Sequence, residues 1–329
     1  MIIRSQKGEP LTTTRSSGKR SNLKNRQAKD RLAGSAFFLI SIVPFVILVA
    51  LIVALLWRAW PILELKSIGE LLTGRDWHPS QGKFGFYPFI IGTFWVTIVA
   101  LILAVPACLL SAIFLSEYCR PKTCAFIKPI MDLLAGIPSV VYGVWGVVAI
   151  VPVVQAIGPR MDAMFGYIPL FSDTNPTGFS ILAGGLVLAV MIAPFIIAVT
   201  FEVLRAVPDG VRQASLAVGA TKWQTIKYGV IPHTRAGIFA GIVLGASRAL
   251  GETMAVLMVV GNVPTVPKSI FDPAYPLPAL IANNYGEMLS IPLYDAALLG
   301  AALVLLLIVL FFNVISTLVL RHIIGTRHV

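Results

Sequence analysis

Charged residues are scarce in this sequence. They make up 12% of its 329 residues, whereas hydrophobic residues make up 57% and the mean hydropathy is +0.85. A soluble domain carries roughly a quarter charged residues, so the composition excludes an ordinary soluble globular fold. The apolar runs are continuous rather than alternating, which also excludes a membrane β-barrel. We therefore predict an all-α integral membrane protein.

The sequence also lacks the motifs of nucleotide and metal chemistry. It contains no G-x-x-x-x-G-K-[ST] and no H-E-x-x-H, so it predicts neither a phosphate-binding loop for ATP nor a zinc-protease helix. Its three cysteines, Cys108, Cys119 and Cys124, provide neither a disulfide framework nor the second pair of ligands that a zinc site needs. We predict no enzymatic activity, no catalytic residue, no metal site and no cofactor in this chain.

Six hydrophobic runs are each long enough to cross a membrane. At about 1.5 Å per residue, a helix of some 20 residues spans a hydrocarbon core of about 30 Å. The runs are 35–57, 87–116, 129–154, 179–200, 237–261 and 293–320. Prolines and glycines inside them do not exclude helices, because neighbouring helices satisfy the freed backbone groups. The sequence therefore predicts six transmembrane helices.

Lysine and arginine are distributed unevenly between the loops. If residues 1–31 are cytoplasmic, nineteen of the 26 lysines and arginines lie in cytoplasmic segments and six in outer segments. This asymmetry predicts that both termini are cytoplasmic, and it accounts for the net charge of +11 without a nucleic-acid partner. Residues 1–31 are basic and poor in large apolar side chains, which predicts a disordered cytoplasmic arm. The six-helix domain would then comprise 32–329.

The cytoplasmic loop at about 207–232 carries helix start and stop signals. Asp209 can cap a first short helix, and Gly219 can end that helix in the left-handed conformation. Thr221 and Gln224 have the spacing of a capping box for a second helix, which Pro232 would end. The loop thus predicts two short helices joined by a glycine elbow. The apolar surface that a partner protein could cover consists of Leu216, Val218, Trp223, Ile226 and Tyr228.

Two charged residues interrupt the fifth hydrophobic run. Arg248 and Glu252 are four residues apart, so they would share one face of a continuous helix. Each charge at mid-membrane costs about 2.5–3.5 kcal/mol on insertion scales, which favours a polar pathway beside them over a plain packing role. The arginine fork can hold two oxyanion oxygens. The residues predicted to line this path are Ser247, Arg248, Glu252 and Thr253.

This pair favours an anion that keeps a proton near neutral pH. Glu252 would repel a fully ionised anion such as sulfate, whereas it could accept a hydrogen bond from a P–OH group while Arg248 holds the unprotonated oxygens. The alternative is a purely structural ion pair that fixes helix packing.

The loop at 207–232 resembles the coupling motif of ABC importer permeases, in which Glu-Ala-Ala is followed by Gly and later by Ile-x-Leu-Pro. Ala214, Gly219 and Pro232 match this motif, whereas Gln213 replaces its Glu and Gly229 replaces its Ile. The resemblance implies that the loop sits in a groove of an ATPase subunit. The residues it assigns to coupling are Gln213, Ala214, Ser215, Gly219, Ala220, Thr221, Trp223 and Pro232.

The membrane part also resembles a channel subunit of the phosphate-specific ABC importer family. The similar stretches are 134–146, 248–256 with the following Gly261 and Asn262, and 280–285. The resemblance implies a type I importer permease fold (MetI-like) in the bacterial cytoplasmic, or inner, membrane. It implies as partners a second permease subunit, a dimer of ATPase subunits that use ATP and Mg, and an external phosphate-binding protein.

Two alternatives remain open from the sequence. An importer of the same kind could carry another oxyanion, such as molybdate, tungstate or sulfate, which a competition uptake assay distinguishes. A secondary anion transporter could use Glu252 for ion coupling, but the cytoplasmic helix pair would then have no role. Dependence of uptake on ATP, with the ion gradient held constant, separates these mechanisms.

Overall fold

The computed structural model describes residues 17–172, 175–286 and 293–325, and this part of the chain is mainly helical. Its α-helices are α1 (Ser17–Leu65), α2 (Ile68–Thr73), α3 (Tyr87–Ile113), α4 (Pro121–Ala135), α5 (Ser139–Trp145), α6 (Val151–Phe165), α7 (Ile181–Arg205), α8 (Asp209–Ala217), α9 (Lys222–Gln224), α10 (Ile231–Leu250), α11 (Met254–Val259), α12 (Leu277–Asn284) and α13 (Tyr294–Gly325). Three π-helical turns are Phe114–Tyr118, Gly146–Ile150 and Thr225–Val230. Strands β1 (Trp77–His78) and β2 (Lys83–Phe84) pair antiparallel.

Six helical stretches are long and apolar enough to cross a membrane, which confirms the predicted number of spans. They are Ala33–Leu65, Tyr87–Tyr118, Ser139–Phe165, Ile181–Arg205, Lys222–Leu250 and Tyr294–Ile323. Spans two, three and five contain π-helical turns, which widen the helix by one residue where they occur.

The chain divides into two units, Met1–Ala54 and Leu55–Val329. In the first unit, α1 begins at Ser17 and its apolar side chains, such as Phe37 and Phe45, are exposed, as lipid-facing residues are. Of the predicted disordered arm, residues 1–16 lie outside the described residues, whereas 17–31 have helical backbone. Lysine, arginine and glutamine are good helix formers, and extending an existing helix avoids the cost of nucleation.

The third span differs from the predicted run at 129–154. Its amino-terminal part belongs to α4, a separate helix, and the chain then breaks at Gly136–Pro138 before α5 begins. Pro138 has a non-helical backbone, with φ −57° and ψ 139°. As a proline it has no N–H to donate, and it disfavours helical backbone in Ile137 before it, so α4 does not continue into α5. Span three therefore starts at Ser139 and extends through the π-turn into α6, to Phe165.

The core of the second unit is centred on α3 and α7. Buried Val96 and Ala100 of α3 pack against Val187 and Ile192 of α7. Gly184 and Gly185 of α7 face α3 and allow the two backbones to approach closely. Small residues are the usual means of close helix contact in membranes, where apolar burial gives little driving force between helices.

The segment 58–86, between the first two predicted hydrophobic runs, is ordered by an aromatic cluster. It contains α2 and the β1–β2 hairpin, and Trp77 of β1 packs edge-on against Phe84 and Phe89, with ring centroids 5.5 and 5.1 Å away. Phe84 and Phe89 are buried, so the hairpin shares a core with the amino-terminal end of α3. Rings in such edge-to-face contact stabilise each other by about 0.5–1.5 kcal/mol beyond their burial.

Candidate substrate path and coupling surface

The fifth span breaks at the predicted charge pair. Helix α10 ends at Leu250, and α11 starts only at Met254. Arg248 therefore lies in the last turn of α10, while Glu252 lies in the non-helical link after it. The prediction that both share one face of a continuous helix over 237–261 is wrong, because the helical hydrogen bonds give way after Leu250 to short-range bonds such as Gly251 N–H to Arg248 O (3.3 Å). Broken helices are tolerated in membranes where the backbone lines a cavity or is covered by protein.

Arg248 is held by an aromatic ring rather than by a carboxylate. Its guanidinium carbon lies 4.1 Å from the ring centroid of Phe195 on α7, and the side chain is exposed. Within the described residues, no carboxylate oxygen lies within 4.0 Å of this guanidinium. A stacked guanidinium keeps its N–H groups free at the edge of its plane, where they can donate to an anion.

Glu252 is half-buried and lies within the break itself. Its Oε1 accepts a hydrogen bond from the Ala255 N–H at 3.4 Å, at the start of α11. Together with Thr93 and Thr97 of α3 it lines a cavity of about 10 Å³, close to the smallest that holds a water molecule. Within the described residues the structure thus shows no Arg248–Glu252 ion pair, which was the alternative to a path role, and Arg248 stacks on Phe195 instead.

The two hydroxyl residues predicted beside this pair have separate partners. Ser247 Oγ donates to Asn313 Oδ1 of α13 at 3.0 Å, which ties span five to span six. Thr253 Oγ1 donates to the Gly251 carbonyl at 3.4 Å and lies in the link itself. Sequence reasoning did not single out Phe195 or Asn313, since an aromatic or an asparagine inside an apolar run carries no signal of which neighbour it meets.

The loop at 207–232 has the predicted helix–elbow–helix form. Gly219 has φ +84°, and the N–H groups of Gly219 and Ala220 donate to the carbonyls of Leu216 (3.0 Å) and Ser215 (3.2 Å). These two bonds form a Schellman motif that ends α8. Thr221 and Gln224 form the predicted capping box, with Thr221 N–H to Gln224 Oε1 at 2.8 Å and Gln224 N–H to Thr221 Oγ1 at 3.3 Å.

Three details of the loop differ from prediction. Asp209 does not cap α8; it is the first helical residue, and its carboxylate lies 3.4 Å from Arg212. Pro232 does not end the second helix, because α9, the π-turn Thr225–Val230 and α10 form one continuous helical run. A π-turn shifts the hydrogen-bond ladder, which lets a residue without an N–H follow it. Ile226 is buried and faces the chain's own core instead of a partner.

The remaining apolar side chains of the loop are exposed to solvent. Val218 is 85% exposed, and Leu216, Trp223 and Tyr228 are exposed by half or more. Of the predicted coupling residues, Gln213, Ala214, Gly219, Thr221, Trp223 and Pro232 are exposed, whereas Ser215 and Ala220 are half-buried. Clustered exposed apolar residues at such a loop are typical of a surface that another protein covers.

We expect substitutions at Gly219 to follow backbone preference, because a β-carbon there would meet no atom within 4 Å. The left-handed conformation costs non-glycine residues about 1–2 kcal/mol, and asparagine tolerates it best. Gly219→Val should therefore lower transport activity in a reconstituted transporter well below that of Gly219→Asn. Equal activity of the two variants would show that the elbow geometry does not matter.

Comparison with known proteins places this arrangement in a family. The family model described as "Binding-protein-dependent transport system inner membrane component" matches residues 105–325, which include the coupling loop and the broken fifth span. The chain belongs to this family. It is therefore a permease component of a binding-protein-dependent transporter and a multi-pass protein of the inner membrane, which confirms the predicted importer permease fold and location.

Several members of the family are similar over most of their length. The phosphate transport system permease protein PstC of Mesorhizobium japonicum is 36% identical over 288 residues, covering 86% of this chain and 87% of that protein. PstC of Pasteurella multocida is 37% identical, with coverage of 85% and 88%. An inward-facing structure of the MetNI methionine ABC transporter is 19% identical, with a TM-score of 0.49, and covers 73% of this chain and 94% of that one.

Proposed function

We propose that this chain is one of two membrane permeases of an ATP-driven importer that moves inorganic phosphate across the inner membrane. The observation that carries the proposal is the similarity, over 86% of the chain, to permeases named for phosphate transport. The arrangement at the break in span five supports it, because Arg248 is exposed and has no ion-pair partner within the described residues. Both termini would lie in the cytoplasm, where the basic loops are.

Three surfaces of this permease would be completed by partner proteins. A second permease (PstA-like) would complete the path beside Arg248. An ATPase dimer (PstB-like), using ATP and Mg, would cover the exposed Leu216, Val218 and Trp223 of the coupling loop. An external phosphate-binding protein (PstS-like) would dock on the outer loops. This chain itself would bind no ATP, Mg or other cofactor.

The chemistry of the anion contact depends on two different groups. Arg248 would donate two N–H groups to unprotonated phosphate oxygens, as its planar fork allows. Glu252 would accept a hydrogen bond from the P–OH group that phosphate keeps near neutral pH. Sulfate has no such proton, so the carboxylate would repel it. Within the described residues, Glu252 accepts one hydrogen bond, at Oε1, which leaves Oε2 for this contact.

We expect Glu252→Gln to reduce the discrimination between phosphate and sulfate. The amide removes the negative charge that excludes a fully ionised anion, and a hydrogen bond to a charged group contributes about 1.5–3 kcal/mol. Discrimination should therefore fall by about tenfold or more, since 1.4 kcal/mol corresponds to a factor of ten. The measurement is uptake of radiolabelled phosphate and sulfate, each in competition with the other, by vesicles that contain the complete transporter.

Glu202→Gln is the matched control, since it makes the same change at an exposed carboxylate that pairs with Lys128 and lies outside the predicted path. Unchanged discrimination in Glu252→Gln would reject the role of Glu252. Uptake of molybdate, tungstate or sulfate in preference to phosphate by the unmodified transporter would reject phosphate as the substrate. Uptake that continues without ATP, driven by an ion gradient, would reject the importer mechanism.

A further inference from the structure

Both cytoplasmic helices of the coupling loop contact the same end of span two. The first contact is a nearly buried ion pair between Arg212 of α8 and Glu117 in the π-turn that follows α3. Arg212 Nη2 lies 2.8 Å from Glu117 Oε1, and Nε lies 3.3 Å from Oε2, so the pair is bidentate. Only 19% of the Arg212 side chain and 7% of the Glu117 side chain are exposed. The bond to Glu117 raises the pKa of Arg212, which keeps the guanidinium charged.

The same guanidinium also binds the carboxyl end of span four. Arg212 Nη2 donates to the Leu204 carbonyl at 2.9 Å, and Nη1 donates to the Val207 carbonyl at 2.7 Å. Leu204 lies in the last turn of α7 and Val207 just beyond its end, where a positive charge is favourable to the helix dipole. One side chain of α8 thus connects three elements, so a displacement of α8 either moves the ends of α3 and α7 or separates the ion pair.

The second contact comes from α9. Lys222 Nζ lies 4.6 Å from the ring centroid of Tyr118, the residue directly after Glu117. The two helices act on this site together, because Thr225 Oγ1 donates to Ser215 Oγ at 3.0 Å and the Schellman motif fixes the elbow between them. The two helices of the coupling loop therefore contact adjacent residues of the same π-turn.

Span two continues from this contact to the proposed anion site. Thr93 and Thr97 of α3 line the cavity that contains Glu252, and Thr93 Oγ1 accepts the N–H of Leu277 at 2.9 Å. Thr97 and Glu117 are 20 residues apart in a continuous helical stretch, which corresponds to about 30 Å at ~1.5 Å per residue. A single continuous helical element thus has the coupling loop at one end and a neighbour of the path at the other.

We propose that Arg212 and Lys222, with Glu117 and Tyr118 as their receiving pair, are positioning residues that transmit movement of the coupling loop to span two. This inference rests on the proposed function, because it assumes that an ATPase moves α8 and α9. It assigns to span two the role of carrying that movement to the Glu252 region. Spatial connection alone does not establish such coupling, so the test must measure coupling itself.

The experiment compares phosphate transported per ATP hydrolysed in the complete transporter, reconstituted in vesicles with its ATPase and binding protein. We expect Glu117→Gln to lower this ratio by about tenfold, within the usual range of coupling between sites, while ATP hydrolysis continues. Loss of packing alone would lower the amount of assembled transporter without changing the ratio. The reverse pair, Glu117→Arg with Arg212→Glu, should restore part of the ratio because it restores opposite charges.

Two further comparisons keep the test decisive. Glu202→Gln is the matched control, since Glu202 forms an exposed 2.7 Å ion pair with Lys128 that does not involve the coupling loop, and it should keep the wild-type ratio. Tyr118→Leu should lower the ratio while Tyr118→Phe, which keeps the ring face, should not. The two Tyr118 variants test the inference if Glu117→Gln does not assemble.

Wild-type ratios in both Glu117→Gln and Tyr118→Leu would overturn the inference. Failure of the proposed function gives a different result, namely no phosphate uptake by the unmodified transporter. In that case, the same ratios are measured with molybdate or sulfate, whichever the unmodified transporter carries.

Discussion

Arg248→Ala is expected to reduce phosphate uptake by about 100-fold or more, while the transporter still assembles and hydrolyses ATP. Each hydrogen bond to a charged group contributes about 1.5–3 kcal/mol, and the arginine fork would supply two to the anion. Arg248 is exposed and packs against Phe195, so its truncation leaves no buried carboxylate unpaired within the described residues. The loss should therefore appear in transport and not in folding.

The measurement is initial phosphate uptake over a range of phosphate concentrations, normalised to the amount of transporter in the vesicles. Arg248→Lys is the informative companion variant. It keeps the charge but loses the planar fork, so it should transport at an intermediate level with weaker apparent affinity. Wild-type affinity and rate in Arg248→Ala would exclude this residue from the path. Parallel loss of assembled protein would instead give Arg248 a packing role.

The second large effect is expected at Gly185, where α7 approaches α3. A β-carbon on this glycine would overlap Cγ1 of Val99 and lie 2.9 Å from its Cβ and 3.4 Å from the backbone nitrogen of Ala100. Relief of this overlap requires the two helices to separate. Overpacking of this kind usually costs about 1–3 kcal/mol. We expect Gly185→Ala to lower the melting temperature and the yield of monodisperse transporter in detergent.

Gly184 provides a matched control in the adjacent position. A β-carbon there would lie 3.4 Å from Cγ1 of Val96 and 3.6 Å from Cγ2 of Val260, which is ordinary van der Waals contact. Alanine also favours helix over glycine by about 1 kcal/mol, so Gly184→Ala should be neutral or slightly stabilising. If the two alanine variants melt at the same temperature, close approach of α3 and α7 does not limit stability.

The candidate site shows how far residue types and spacing can be read without a structure. The coupling loop was predicted well, because glycine in the left-handed conformation and the Thr221–Gln224 capping box are local features that neighbouring residues specify. The role of Pro232 was not, since the π-turn before it depends on how the widened helix packs. The shared helix face of Arg248 and Glu252 was also predicted incorrectly. A spacing of four residues places two side chains on one face only while the helix continues.

Arg212 and Glu117 illustrate the same limit more strongly. They are 95 residues apart, and neither belongs to a motif that marks it as one half of an ion pair. Their contact exists because α3, α7 and the coupling loop meet around a small core that includes Ala112, Leu204 and Val230. No local sequence pattern indicates that these elements are in contact.

The sequence by itself determined that the protein lies in a membrane, how many spans it has and the local form of the coupling loop. These properties depend on composition, on run length relative to the thickness of a bilayer, and on interactions between residues a few positions apart. Only the tertiary structure decided where spans three and five break, which ring supports Arg248 and which residues connect the coupling loop to span two. Those outcomes depend on contacts between helices that are far apart in the chain, and packing across such distances is not encoded in any local pattern.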